Sequence, residues 1–159
     1  MEDVVRALGH LSLGTRMKRI GDRLQADTQA LLHASGVGVP VAQHTVLAAL
    51  DRLGPLTIGE ISAAIGVRQP GVTRTVAKMA TAGIVVASPT EDRRVKRVAL
   101  TPAGDDLVAA AKADLWPRIE AAVQNACTGL SGSLLEQLAG LEDALADAPL
   151  VDRAGPGMR

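Results

Sequence analysis

The stretch QPGVTRTVAKMATAGIVVASPTEDRRVKRVALTPAG, residues 69–104, contains a helix, a stop and a hairpin in one run. Pro70 suits the first turn of a helix, where its missing N–H is one of the donors left unpaired in any case. Val72, Val76 and Met79 follow at i, i+4 and i+7, one face of a helix, and are the expected core contacts. Gln69, Thr73, Arg74, Ala77 and Lys78 are then left on the outside. Gly83 closes the helix. Two β-rich runs come next, with strands expected near 84–88 and 96–101 and a tip near 89–95. The tip is unusual in its charge: Glu91 and Asp92 lead into four cations within five positions, Arg93, Arg94, Lys96 and Arg97.

Upstream, Thr57-Ile-Gly-Glu60 is a capping box, in which the threonine caps a new helix and the glutamate reaches back. That helix is short and is expected to stop at Gly66 in the left-handed conformation. Before it, Val46, Leu47, Leu50 and Leu53 mark a helix ending at Gly54-Pro55. Earlier still, Leu13, Met17, Ile20, Leu24 and Leu31 step along one face of a long first helix that ends near Gly36–Pro40. Downstream, Thr101-Pro102 starts a fifth helix, with Asp105-Asp106 facing its positive end. Its stripe runs Leu107 or Val108, Ala111, Leu115, Ile119, Ala122 and Ala126. Ser131 is the expected cap of a last helix, whose Leu134, Leu138, Leu141 and Leu145 form a seam that lacks a partner within so small a lobe. From Pro149 a frayed tail is expected.

Composition limits the function classes. With 47% apolar residues over 159 positions, the chain folds into one domain or two small lobes and is not disordered. Gly, Pro and Ser interrupt the uncharged runs, so no transmembrane helix is expected, and the acidic start MEDVVRALGH does not read as a signal peptide. The lone Cys127 excludes an internal disulfide, fits a reducing cytoplasm, and reads as a packing residue rather than a redox sensor. Neither a metal nor a cofactor is expected: His10, His33 and His44 lack metal-site spacing, and no phosphate loop or nucleophile motif is present. No catalytic residues are expected, and the chain does not read as an enzyme.

The zero net charge averages opposites. Residues 68–97 hold seven cations against two acids, whereas residues 102–147 hold two cations against eight acids. Two short helices joined by a glycine turn, then a basic hairpin, describe a winged helix-turn-helix. In that arrangement the second helix enters the major groove and an arginine-bearing hairpin suits the minor groove. The expected fold is mainly α with a small β-hairpin wing, plus a helical dimerisation lobe. The expected DNA-binding residues are Arg68, Gln69, Pro70, Thr73, Arg74, Lys78, Arg93, Arg94 and Lys96. The rival reading is a protein-binding winged-helix adaptor or dimer scaffold.

QPGVTRTVAKMATAGIV followed by EDRRVKRVALTPAG resembles the multiple-antibiotic-resistance regulator (MarR) family, most specifically in Asp92-x-Arg94 and Val98-x-Leu100-Thr101-x-x-Gly104. The resemblance implies a cytoplasmic homodimeric regulator that binds an inverted-repeat operator in double-stranded DNA and is often released by a small phenolic or anionic ligand. It also implies that 69–83 is the recognition helix, that Arg94 is the minor-groove residue and that Asp92 braces the wing. The expected organisation is a dimerisation lobe from 1–40 and 102–148, a DNA-binding domain at 41–101 and a flexible tail at 149–159. His10, His44 and Trp116 are the candidates for lining a ligand cleft, against ordinary packing roles. Two departures stand out: Arg68 replaces a serine cap, and Gly71 sits where a better helix former is usual, which should loosen the start of the helix.

Overall fold

The computed structural model describes residues 1–36, 39–89 and 96–153. It divides into two compact units, Met1–Ile119 and Glu120–Arg159. In the first, a short helix α1 (Val4–Ala7) and a 3-10 turn (Gly9–Ser12) lead into the long α2 (Leu13–Ala34), followed by α3 (Val41–Leu53). A two-residue strand β1 (Leu56–Thr57) precedes α4 (Ile58–Ile65) and α5 (Gln69–Thr81). Strands β2 (Val85–Pro89) and β3 (Lys96–Leu100) form the hairpin, and α6 (Pro102–Ala110) follows.

The sheet order is β1-β3-β2, antiparallel throughout, with Thr57 opposite Arg97 and Ala87 opposite Val98. β1 is an addition to the expected hairpin, and its two residues are too few to show a period. The core collects one face from every element around it: Val46, Leu47 and Leu50 of α3, Ile61 of α4, and Val72, Val76 and Met79 of α5. Val85, Val98 and Val108 complete it from β2, β3 and α6. The apolar face expected of α5 is therefore the buried one.

Several starts and stops follow the expected local chemistry. The capping box at Thr57 is complete, and Gly66 is left-handed at φ +66°. Thr101 caps α6 through Gly104 N–H, while its own hydroxyl donates to the Gly83 carbonyl at 2.6 Å. Gly104 is required for a tertiary reason, since a Cβ there would run into the Ile84 carbonyl oxygen. At α3 the unpaired Val41 N–H is met from outside the helix, by Gln29 Oε1 of α2 at 3.0 Å.

Other expectations are corrected. In α2 the buried residue is Leu32, whereas Ile20 and Leu24 of the expected stripe are 50% and 41% exposed. The fifth helix is interrupted by a π turn at Ala111–Leu115 before α7 (Trp116–Ala126). Val108, Ala111 and Leu115 are buried as expected, but Ala122 and Ala126 are exposed. The second unit contains the end of α7, α8 (Leu134–Asp147) and α9 (Leu150–Arg153). Ser133, not Ser131, caps α8 by accepting from Glu136 N–H, and Ser131 instead offers its carbonyl to the Gln137 side chain at 2.9 Å. The tail expected from Pro149 holds a helical turn, in which Arg153 donates to the Ala148 carbonyl at 2.8 Å. Cys127 is half-buried.

Candidate nucleic-acid interface

Helices α4 and α5 are joined by a tight turn at Gly66–Arg68. The Ser62 hydroxyl donates to the Val67 carbonyl at 2.7 Å and ties the last turn of α4 to that connection. Arg68 is the N-cap of α5 and, as its side chain implies, makes no capping hydrogen bond. Gly71 has a packing reason: a Cβ there would lie 3.2 Å from Val67 Cγ1, so the first turn of α5 sits close against the inter-helix turn.

Because Val72, Val76 and Met79 are buried, α5 cannot roll, and its opposite face is fixed outward. Arg68, Gln69, Pro70, Thr73, Arg74, Ala77 and Lys78 are all exposed on that side. The Thr73 hydroxyl donates to the Gln69 carbonyl at 2.9 Å, which leaves its oxygen to accept and its methyl to make apolar contact. Among the described residues, Arg68, Arg74 and Lys78 have no ion-pair partner. Lys96 is exposed at the start of β3. Asp92, Arg93 and Arg94 lie outside the described residues.

Arg97 belongs to the same basic run but has a different position. Its guanidinium donates to the Pro55 carbonyl at 2.6 Å and lies 3.4 Å from Glu60 Oε1. Glu60 in turn accepts from Thr57 N–H at 2.7 Å. The Thr57 backbone bond, then the Thr57 side chain, hold the Glu60 carboxyl below its ordinary range, with the Arg97 charge adding less. Charge alone could not distinguish Arg97 from its neighbours. Its pairing register with Thr57 is what separates it.

Of the three ligand candidates, the structure brings two together. Trp116 Nε1–H donates to His44 Nδ1 at 3.3 Å, and the rings meet edge to face with centroids 6.5 Å apart. His44 is buried, and its Nε2 has no hydrogen-bond partner among the described residues. Burial lowers its pKa, with the Val39 backbone acting in the other direction. His10 stands exposed on the 3-10 turn, apart from this pair. A shallow cleft lined by Leu50, Asp51, Gly54, Pro55, Ala99, Leu100 and Asp105 includes none of the three. No group of three or more metal-ligating side chains occurs among the described residues.

A capped helix, a glycine turn, a second helix anchored by one face and a three-stranded sheet ending in a hairpin together make a winged helix-turn-helix protein. Residues 37–95 match the MarR family model. Among solved structures, the chain is similar to BpsR of Bordetella bronchiseptica, whose DNA binding is regulated by 6-hydroxynicotinic acid. Identity there is 26%, with a TM-score of 0.69 over 85% of this chain and 93% of BpsR. A MarR-family regulator from Silicibacter pomeroyi is 27% identical, with a TM-score of 0.65 over 90% of this chain and 94% of its own. M. tuberculosis MOSR, solved in complex with DNA, is 25% identical, with a TM-score of 0.65 over 85% of this chain and 96% of its own. No match is found among curated proteins. Over residues 37–95 the chain is thus similar to the MarR family, and its fold along most of its length is shared with a solved MarR-family regulator.

Proposed function

We propose that this protein is a sequence-specific regulator that binds double-stranded DNA as a two-fold homodimer in the cytoplasm and acts as a repressor released by a small ligand. The observation that carries this reading is the outer face of α5, where Arg68, Gln69, Thr73, Arg74 and Lys78 are exposed on a helix held by its buried face. Such a helix presents base-reading side chains to a major groove, with its N-terminal residues nearest the bases. Arg74 is assigned the guanine edge, and Arg68 and Lys78 the phosphates. Arg94 of the wing is assigned the minor groove, Arg93 and Lys96 are assigned further DNA contacts, and Asp92 is assigned to brace the wing. Pro70 shapes the entry of the helix.

The helices at 1–40 and 102–148 supply the two-fold contact, in keeping with the exposed leucines of α8. Two recognition helices related by a dyad call for an inverted repeat with half-sites about one helical turn apart. The likeness to BpsR supports release by a small aromatic acid. His44 and Trp116 are the residues of this chain assigned to sense it. Trp116 already occupies His44 Nδ1, which leaves Nε2 as the histidine nitrogen open to a ligand.

The test compares Arg74→Ala with Arg94→Ala on a selected genomic fragment and on random duplex. Arg74→Ala should cost about 1–3 kcal/mol on the selected site and much less on random DNA. Arg94→Ala should weaken both more evenly and flatten the salt dependence by about one charge per subunit. Binding by wild type that is absent, or insensitive to salt, would favour a protein-binding adaptor instead.

A further inference from the structure

The wing is useful only if its position relative to α5 is defined, and β1 and β3 share just two residue pairs. A two-residue ladder gives little resistance to splaying. One side chain reinforces it. From β3, Arg97 reaches across β1 to the Pro55 carbonyl and to Glu60, and Glu60 closes the cap at Thr57. Both acceptors belong to the segment that starts α4, so the guanidinium joins the inner strand of the wing to the first helix of the helix-turn-helix.

We infer that Arg97 is a positioning residue for DNA binding, which holds the wing against α4 through Pro55 and Glu60 and does not neutralise a phosphate. This rests on the DNA-binding reading above. Arg97 and Glu60 are about half exposed, at 48% and 46%, and an ion pair that open contributes little to stability. What it supplies is geometry. Two donors of one planar group meet two fixed acceptors, so the strand is held in one orientation before DNA arrives and less freedom is lost on binding. It also accounts for an acid beside a DNA-facing surface. The Glu60 charge is occupied by the cap and by Arg97.

The test uses the full-length protein and a labelled mixed-sequence duplex, titrated over a series of salt concentrations. Arg97→Met keeps the apolar stem and removes the donors. It should weaken binding roughly three- to tenfold, through the added cost of ordering the wing, and leave the salt slope at its wild-type value. Lys96→Met, at the next position, should flatten that slope by about 0.9 per subunit. Glu60→Gln keeps a capping acceptor and removes the charge, so it should weaken binding as Arg97→Met does, and the double variant should be no worse than either. Amide exchange should rise at residues 56–57 and 97–98 in Arg97→Met without DNA.

A salt slope flattened by Arg97→Met, tighter binding by Glu60→Gln, or unchanged exchange at those amides would each overturn the positioning role while leaving DNA binding intact. Wild-type protein that fails to bind the duplex would overturn both readings.

Discussion

Helices α5 and α8 carry apolar stripes of similar spacing but different surroundings. In α5, Val72, Val76 and Met79 are 1%, 7% and 0% exposed, covered by α3, α4 and the sheet. In α8, Leu134 and Leu145 of the stripe are 38% and 43% exposed, with Leu138 and Leu141 half-buried between them. Periodicity identifies a face that must be covered, but it does not say what covers it. For α5 the cover comes from the same chain, which fixes the outward row of polar side chains. For α8 we propose that the cover is a second copy of the chain, since several leucines left open along one helix are costly on a monomer.

The largest expected effect tests that difference directly. Leu47→Ala, at the centre of the winged-helix core, should cost about 2–5 kcal/mol in urea unfolding, by the same amount at every protein concentration. Leu145→Ala should instead matter through association. Its melting temperature should drop most in dilute protein and approach wild type as concentration rises. If both variants respond alike to concentration, the contrast between the two faces is wrong.

A smaller effect concerns the junction between the wing and α6. Gly104→Ala places a methyl group against the Ile84 carbonyl oxygen and within 3.2 Å of Leu100 Cδ2. Backbone cannot yield as a flexible side chain does, so a loss of about 1–3 kcal/mol is expected. Gly71→Ala meets only the Val67 side chain, which is 45% exposed, and should be tolerated far better. Equal losses from the two alanines would show that both helix starts are held alike.

The smallest expected effect is on the acid side of neutrality. Burial lowers the folded-state pKa of His44, so the unfolded chain binds more protons there than the native one. The stability from keeping it neutral is complete above its ordinary value of 6.5 and is lost as pH falls below that value towards the lowered one. Denaturation midpoints taken between about pH 5 and pH 7 should decline on the acid side, and less so in His44→Gln. A midpoint equally pH-dependent in the variant would remove His44 from the account.

Much of the winged-helix half was legible because its signals are local. A threonine three residues before a glutamate, a glycine at a helix end and valines at i and i+4 act through neighbours a turn away, so residues 57–83 fold as they read. The outward row of Arg68, Gln69, Thr73, Arg74 and Lys78 followed from geometry alone once the buried face was known. The wrong cap at Ser131 has an equally local cause. Two serines stand two residues apart, each able to cap, and only the realised backbone path chooses Ser133.

Other features depend on residues far apart in sequence. Arg97 looks like one more cation of a basic run until β1 pairs with β3 and brings Pro55 and Glu60 within reach. His44 and Trp116, 72 positions apart, become hydrogen-bonded partners only after α3 and α7 are in place. Gly104 looks like an ordinary first-turn residue until the chain returns to lay Ile84 against it. The sequence by itself determined the helix-turn-helix and the basic hairpin, since these rest on short-range capping, periodicity and charge. Only the tertiary structure decided which cation is paired across the sheet, which histidine is buried and which glycine is packed against backbone. Each of those depends on a contact whose two halves carry no mark of one another along the chain.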